Sequence, residues 1–315
     1  MNYSMLFPGQ GSQYIGMCSD LYYKNDSIRK IYQRASDILG FDLWKMIEKE
    51  DLKTLTKSQN AQPAILVSSY VLYKEFCNNF ELLPSISIGH SLGEISALVC
   101  AESLSFEDGV SFVKQRGLLM DTALEEKIGF CGIVTDLKTE TLEAIIQEIN
   151  ETGYVAITGY NSPNQLMVGG EKSVERLLDD KVSCLSGQYI PFRMIPMKAN
   201  APYHSKLMDY LKPKFKEILN DIQIKSPVFP ILSTVSGEII DNESKISDLL
   251  VNQLVMPVKW NQVIEKLRNM NIDFLVDIGP NKIIKNLVLE NHSFSEVLAY
   301  DEPEDSDKLK ERLKK

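Results

Sequence analysis

The residues with the clearest chemical potential are Gly89-His90-Ser91-Leu92-Gly93. They follow an apolar, strand-like run, Leu83 to Ile88, and open a helical stretch, Leu92 to Ala101. G-x-S-x-G between strand and helix is the nucleophile elbow: the serine sits on a tight turn, so its neighbours must be small. The first N–H groups of a helix have no partner inside it. The Leu92 N–H can therefore meet a developing oxyanion, with help from the helix dipole. A plain strand–turn–helix with two convenient glycines is the bland reading, and the flanking elements favour the elbow. A serine nucleophile needs a base, and the chain holds three histidines, His90, His204 and His292. His90 adjoins the serine and should project away from its hydroxyl. His292 lies in a polar stretch, Glu290 to Ser293, that reads as exposed loop. His204 stands in a loop, Asn200-Ala201-Pro202-Tyr203-His204-Ser205, that precedes a helix. By elimination His204 is the base. No carboxylate is evident at a triad position, so a backbone carbonyl could orient the imidazole and leave a dyad.

These residues need a scaffold. Tyr3 to Phe7 reads as a buried strand that runs into a Pro8-Gly9 turn. A helical pattern covers Asp26 to Glu50 with a break near Gly40, and another covers Ala64 to Phe80. Pro63 suits the first position of that second helix. Phe106 to Ala123 repeats apolar residues every three or four positions and reads as a helix. From about Glu126 to Pro196 the texture changes. Strands are expected at 129–134, 155–159, 165–169 and 190–195, and helices at 139–149 and 172–178. That β-α-β-β-α-β order matches a ferredoxin-like unit. The fold class expected is α/β: a large α/β-hydrolase-like domain with a parallel sheet (residues 1–125 and 197–300), carrying an inserted ferredoxin-like subdomain (126–196). Further strands are expected at 229–232 and 274–278, with a last helix from Lys282. Residues 301–315 are charged and poor in apolar groups, and read as a loosely ordered tail.

Composition narrows the function classes. The chain has 315 residues, enough for a core without staples. Its net charge of -9 argues against a general nucleic-acid binder, which needs a basic face. Five widely spaced cysteines without a CxxC argue against a disulfide framework or a zinc site, and no metal is expected. The N-terminus lacks signal-peptide character, and no apolar run approaches the ~18 residues of a spanning helix. A cytoplasmic protein without membrane association, and a monomer, is expected.

Several further motifs stand in register. They are Phe7-Pro8-Gly9-Gln10-Gly11-Ser12-Gln13, Gln62-Pro63-Ala64, Gln115-Arg116-Gly117 with Met120, and Asn161-Ser162-Pro163. Ala201 to Ser205, Gln253 with Pro257-Val258-Lys259-Trp260, and Asp277-Ile278-Gly279-Pro280 complete the series. Together with Gly89 to Glu94 they resemble the malonyl-CoA:acyl-carrier-protein transacylases, the freestanding enzymes of fatty acid synthesis and those serving polyketide or mixed peptide–polyketide assembly. The resemblance spans about residues 1–290.

It implies a ping-pong reaction with malonyl-CoA as substrate, no further cofactor, and a phosphopantetheinylated acyl carrier protein as partner. By the same resemblance Arg116 pairs with the malonyl carboxylate, and Gln10 supplies a second oxyanion N–H beside Leu92. Gln253 helps hold the histidine and the acyl group, and Asn161, His90, Met120 and Tyr203 lie at the cleft. A guanidinium suits the arginine's role, since it forks two donors onto a carboxylate. Departures occur at Gly129-Phe130-Cys131-Gly132, at Asp121 where glutamine is common, and at Tyr203, whose ring should favour an unsubstituted malonyl group. They lean toward a specialised pathway. An acyl hydrolase of the same fold is the alternative, but it should lack Arg116, because its substrates are uncharged. An unrelated α/β-hydrolase esterase or a non-catalytic docking module fits less well. For an acidic carrier protein, Lys206, Lys212, Lys214 and Lys216 are the expected basic surface, a run that is otherwise an ordinary solvated face.

Overall fold

A computed structural model describes residues 2–195, 201–294 and 296–313. Pro196 and Asn200, which close the expected subdomain and open the histidine motif, lie outside the described residues.

Among the described residues, ten strands form two sheets. The larger contains β1 (Tyr3–Phe7), β2 (Ile86–Gly89), β7 (Ile231–Leu232), β8 (Ile239–Ile240), β9 (Phe274–Asp277) and β10 (Val297–Ala299). Their order is β10-β9-β1-β2-β7-β8, parallel throughout except for β8 at the edge. Every residue of β1, β2 and β9 is buried, as expected for strands covered on both faces. The chain winds outward from β1 in both directions, so the carboxyl ends of β1 and β2 lie where an open α/β sheet binds its ligands.

The second sheet contains β3 (Phe130–Thr135), β4 (Val155–Ser162), β5 (Gln165–Gly170) and β6 (Gln188–Pro191), in the antiparallel order β4-β5-β3-β6. Helices Thr139–Ile149 and Glu175–Cys184 connect its strands and share a separate apolar core with it. This is ferredoxin-like topology. A parallel bridge joins the two parts of the molecule: Tyr160 N–H donates to the Val258 carbonyl at 2.8 Å, and Val258 N–H to the Thr158 carbonyl at 3.0 Å.

Four local expectations are corrected. The second helix begins at Ser58 and runs to Phe80, so Pro63 is interior rather than first. The reason lies across the core, where the Asp121 carboxylate accepts the N–H groups of Ser58 and Gln59, each at 2.9 Å. That tertiary cap starts the helix early. The strand expected at 190–195 instead ends at Pro191 and passes into a tight 3₁₀ turn, Phe192–Met194. Strands β8 and β10 have no counterpart in the sequence reading, because two or three residues carry no period.

The charged tail is a helix, Pro303–Leu313. Leu309 on it is fully buried, and the Asp305 carboxylate accepts the Ala299 N–H at 2.9 Å and pairs with Lys285 and Lys308. Two leucines, Leu309 and Leu313, among four acids and three basic residues make too short an apolar stripe to carry a helical period. No helix among the described residues is long and apolar enough to cross a membrane.

The tail helix should contribute to stability. Truncating a fully buried leucine costs about 2–4 kcal/mol. Leu309→Ala should therefore lower the urea midpoint, whereas a solvated tail would leave it in place.

Candidate active site

Ser91 joins β2 to the helix Leu92–Cys100 with φ 54° and ψ -105°, a strained backbone for a non-glycine residue. Steric contact holds it there. A Cβ on Gly89 would come within 2.0 Å of the Gly93 carbonyl carbon, and one on Gly93 within 2.0 Å of the Phe7 carbonyl oxygen. The turn therefore crosses directly over the end of β1. This brings Gln10, just past β1, beside Ser91, and both line a cleft of about 250 Å³.

The Ser91 Oγ lies 2.8 Å from His204 Nε2. His204 Nδ1 lies 2.7 Å from the main-chain carbonyl of Gln253. A carbonyl can only accept, so Nδ1 carries the proton, and Nε2 is left to accept the serine hydroxyl. The pair is a dyad oriented by backbone. Burial pushes the imidazole down to about 3, and the charge of Arg116 adds to the effect. His204 is thus neutral and able to take a proton at physiological pH.

Arg116, 2% exposed, comes from the helix Phe106–Glu125. Nη1 donates to Gln62 Oε1 at 2.8 Å, and Nη2 donates to Ser91 Oγ and to Gln253 Oε1, each at 3.1 Å. All three partners are neutral. Burial lowers the guanidinium to about 10, so it stays charged at neutral pH. A buried cation among neutral dipoles beside a nucleophile is a receptor for an anion.

The other expected residues divide. His90 points away from Ser91: its Nε2 lies 3.0 Å from Asn161 Oδ1, and its ring packs on Trp260. Asn161 donates in turn to Gln165 Oε1 at 2.9 Å. Both His90 and Asn161 line the cleft. Leu92 opens the nucleophile helix beneath the cleft. The Gln10 side chain is tied back to the Thr56 carbonyl and Ser58 Oγ, each at 3.3 Å. Met120, Tyr203 and Cys131 form part of the wall, and the Tyr203 hydroxyl donates to the Met120 carbonyl at 3.0 Å.

Gln253 is the exception. At 1% exposed it sits behind His204 and Arg116, and its side chain bonds Arg116, Glu94 and the Ser91 carbonyl. His292 is exposed. Asp121 faces the helix start that it caps, away from the cleft.

The expected basic surface is partly neutralised. Lys212 pairs with Asp209 at 2.9 Å and Lys214 with Glu217 at 2.8 Å, while Lys206 lies over the Tyr154 ring.

Three further polar residues belong to the site: Gln62, which anchors Arg116, Glu94, which accepts from Gln253, and Thr234, which donates to Glu94. The available signal was burial. Every residue of the helix Leu92–Cys100 is buried, so a glutamate there must face protein.

The neutrality of His204 has a measurable sign. Its folded-state value is depressed, so between about pH 6.5 and 3 the unfolded chain holds a proton that the folded one refuses. Stability from this group is present above the unfolded value and falls as pH drops, by up to ~1.4 kcal/mol per pH unit. Urea unfolding of the parent and of His204→Gln at pH 7 and pH 5 should show the variant gaining on the parent at the lower pH. A constant difference would mean that the histidine titrates normally.

Comparison with known proteins agrees with this geometry. The chain is 32% identical over 286 residues to the malonyl CoA-acyl carrier protein transacylase of Haemophilus influenzae, covering 90% of each. It is 32% identical over 302 residues to the enzyme of that name from Bacillus subtilis, covering 96% of this chain and 94% of the relative. Among solved structures it superposes on FabD from Acinetobacter baumannii with a TM-score of 0.91 at 28% identity, covering 99% of this chain and 98% of that one. It superposes with a TM-score of 0.92 at 29% identity on a malonyl-transacylase, PlMCAT, solved with the type II PKS acyl-carrier protein AntF, covering 99% and 100%. The acyl transferase domain family matches residues 4–294, which takes in the elbow, the histidine and the arginine alike, and the chain belongs to that family.

Proposed function

We propose that this protein transfers a malonyl group from malonyl-CoA to the phosphopantetheine thiol of an acyl carrier protein, through a malonyl ester on Ser91. The observation that carries the reading is Arg116, a buried cation with three neutral partners, one of them the nucleophile itself. An acyl hydrolase acting on uncharged chains would bury that cation without an anion to meet it. The relatives' names and the carrier-protein complex of the structural neighbour support the same substrate and partner.

The steps follow from the contacts. Neutral His204 takes the Ser91 proton as Oγ attacks the thioester carbonyl. The N–H groups of Leu92 and Gln10 stabilise the oxyanion. The C–S bond breaks, and the departing CoA sulfur takes the proton from the imidazolium. The carrier thiol then gives its proton to His204 and attacks the ester. The bond to Oγ breaks, and the serine regains its proton.

The Arg116 charge helps to depress His204. A malonyl carboxylate that pairs with Arg116 offsets that charge, so the substrate makes the base stronger on arrival. A cytoplasmic location is part of the proposal, and five free thiols fit a reducing compartment.

Two variants test this function. Ser91→Ala should abolish the covalent malonyl adduct seen by intact mass after incubation with malonyl-CoA; an adduct of unchanged stoichiometry would refute the assignment. Removing one partner of a buried charge pair costs about 3–5 kcal/mol. Arg116→Ala should therefore lower malonyl kcat/KM by ~10²–10⁴-fold while sparing or improving acetyl transfer. Equal losses for both acyl groups would exclude carboxylate recognition.

A further inference from the structure

Glu94 is fully buried beneath the nucleophile, on the first turn of the helix that Ser91 opens. Its Oε2 accepts the side-chain N–H of Gln253 at 3.2 Å and the hydroxyl of Thr234 at 3.3 Å. The same Gln253 amide nitrogen donates to the Ser91 carbonyl at 3.1 Å. The amide oxygen faces the other way and accepts Arg116 Nη2, while the main-chain carbonyl of Gln253 receives His204 Nδ1. One residue thus touches the base, the cation and the backbone of the nucleophile, and Glu94 holds that residue.

We propose that Glu94 is a positioning residue for acyl transfer: its buried carboxylate fixes which way the Gln253 amide points, and through Gln253 it holds Arg116 and His204 in register with Ser91. The inference rests on the function proposed above. Its physical basis is the two-fold ambiguity of an amide. Turned over, Gln253 would aim its NH₂ group at the guanidinium, donor against donor, and its oxygen at the Ser91 carbonyl and at Glu94, acceptor against acceptor. A carboxylate beneath the amide makes the second arrangement costly and the observed one the ground state. Burial pushes Glu94 up to about 7, against the hydrogen bonds from Gln253 and Thr234. Either protonation state keeps an acceptor oxygen for Gln253, so the role calls for an acceptor and not for a charge.

The test compares an acceptor with its absence at constant shape. Glu94→Gln keeps an acceptor; Glu94→Met keeps the length and removes it. Single-turnover acylation of Ser91 by malonyl-CoA and by acetyl-CoA is followed by intact mass. Glu94→Gln should stay within about threefold of the parent, while Glu94→Met should slow malonyl acylation by ~10–10²-fold and shrink the preference for malonyl over acetyl, the scale of a displaced catalytic group. In a double-mutant cycle Glu94→Met should add little once Gln253→Met is present, because both act through one amide. If Glu94→Met does not fold, Glu94→Asp takes its place, since the shorter side chain draws the acceptor out of reach. Parent-like selectivity in Glu94→Met, equal losses in the Gln and Met variants, or additive losses in the cycle would overturn the proposal. A parent enzyme that forms no malonyl-Ser91 would instead overturn the function on which it rests.

Discussion

The site depends on one close approach. Gly93, the second residue of the nucleophile helix, lies so near the Phe7 carbonyl that no side chain fits between them. This contact sets the end of β1 against the turn after β2. It also forces Ser91 into positive φ, which costs of order 1–3 kcal/mol and survives only because the packing around it leaves no alternative. Gln10 and Ser91 share a cleft for this reason, although 78 residues of helix and loop, 8 to 85, separate their strands in the chain.

Around that contact the electrostatics are arranged by burial. A cation, an imidazole and a carboxylate all lie out of water within one hydrogen-bonded network, and each is shifted toward neutrality: Arg116 downward, His204 further downward, Glu94 upward. Arg116 keeps its charge because its intrinsic value is so high. His204 does not, and its neutrality is what a base requires. Gln253 connects the three: its side-chain amide accepts from Arg116 and donates to Glu94, and its main-chain carbonyl accepts from His204. A charged residue in its place would have to favour one neighbour over the others.

The antiparallel sheet supplies the opposite wall. Its strand β4 is pinned to the main body by the Val258 bridge, five residues beyond Gln253, and its Asn161 bonds His90 beside the nucleophile. The Asn291 side chain, just after the helix Ile283–Leu289, donates to the Asn161 carbonyl at 2.9 Å. That helix is held from behind by Lys285 and Asp305, the latter on the C-terminal helix. The segment that looks least structured in the sequence therefore supports one side of the cleft.

What the sequence by itself determined is local. Glycines flanking a serine between an apolar run and a helical one specify an elbow, because sterics act over a few residues. The alternation of strands and helices between 126 and 196 specifies a ferredoxin-like unit by the order of its elements. Elimination among three histidines singled out His204. Tertiary structure alone decided the rest. The early start of the helix Ser58–Phe80 comes from Asp121, 63 residues away in sequence. The retreat of Gln253 from the cleft, the placement of Glu94 and the anchoring of Arg116 on Gln62 all join residues far apart in the chain. A hydrogen bond across that separation leaves no periodicity and no spacing to read, since its partners meet only when the two sheets and their helices have packed.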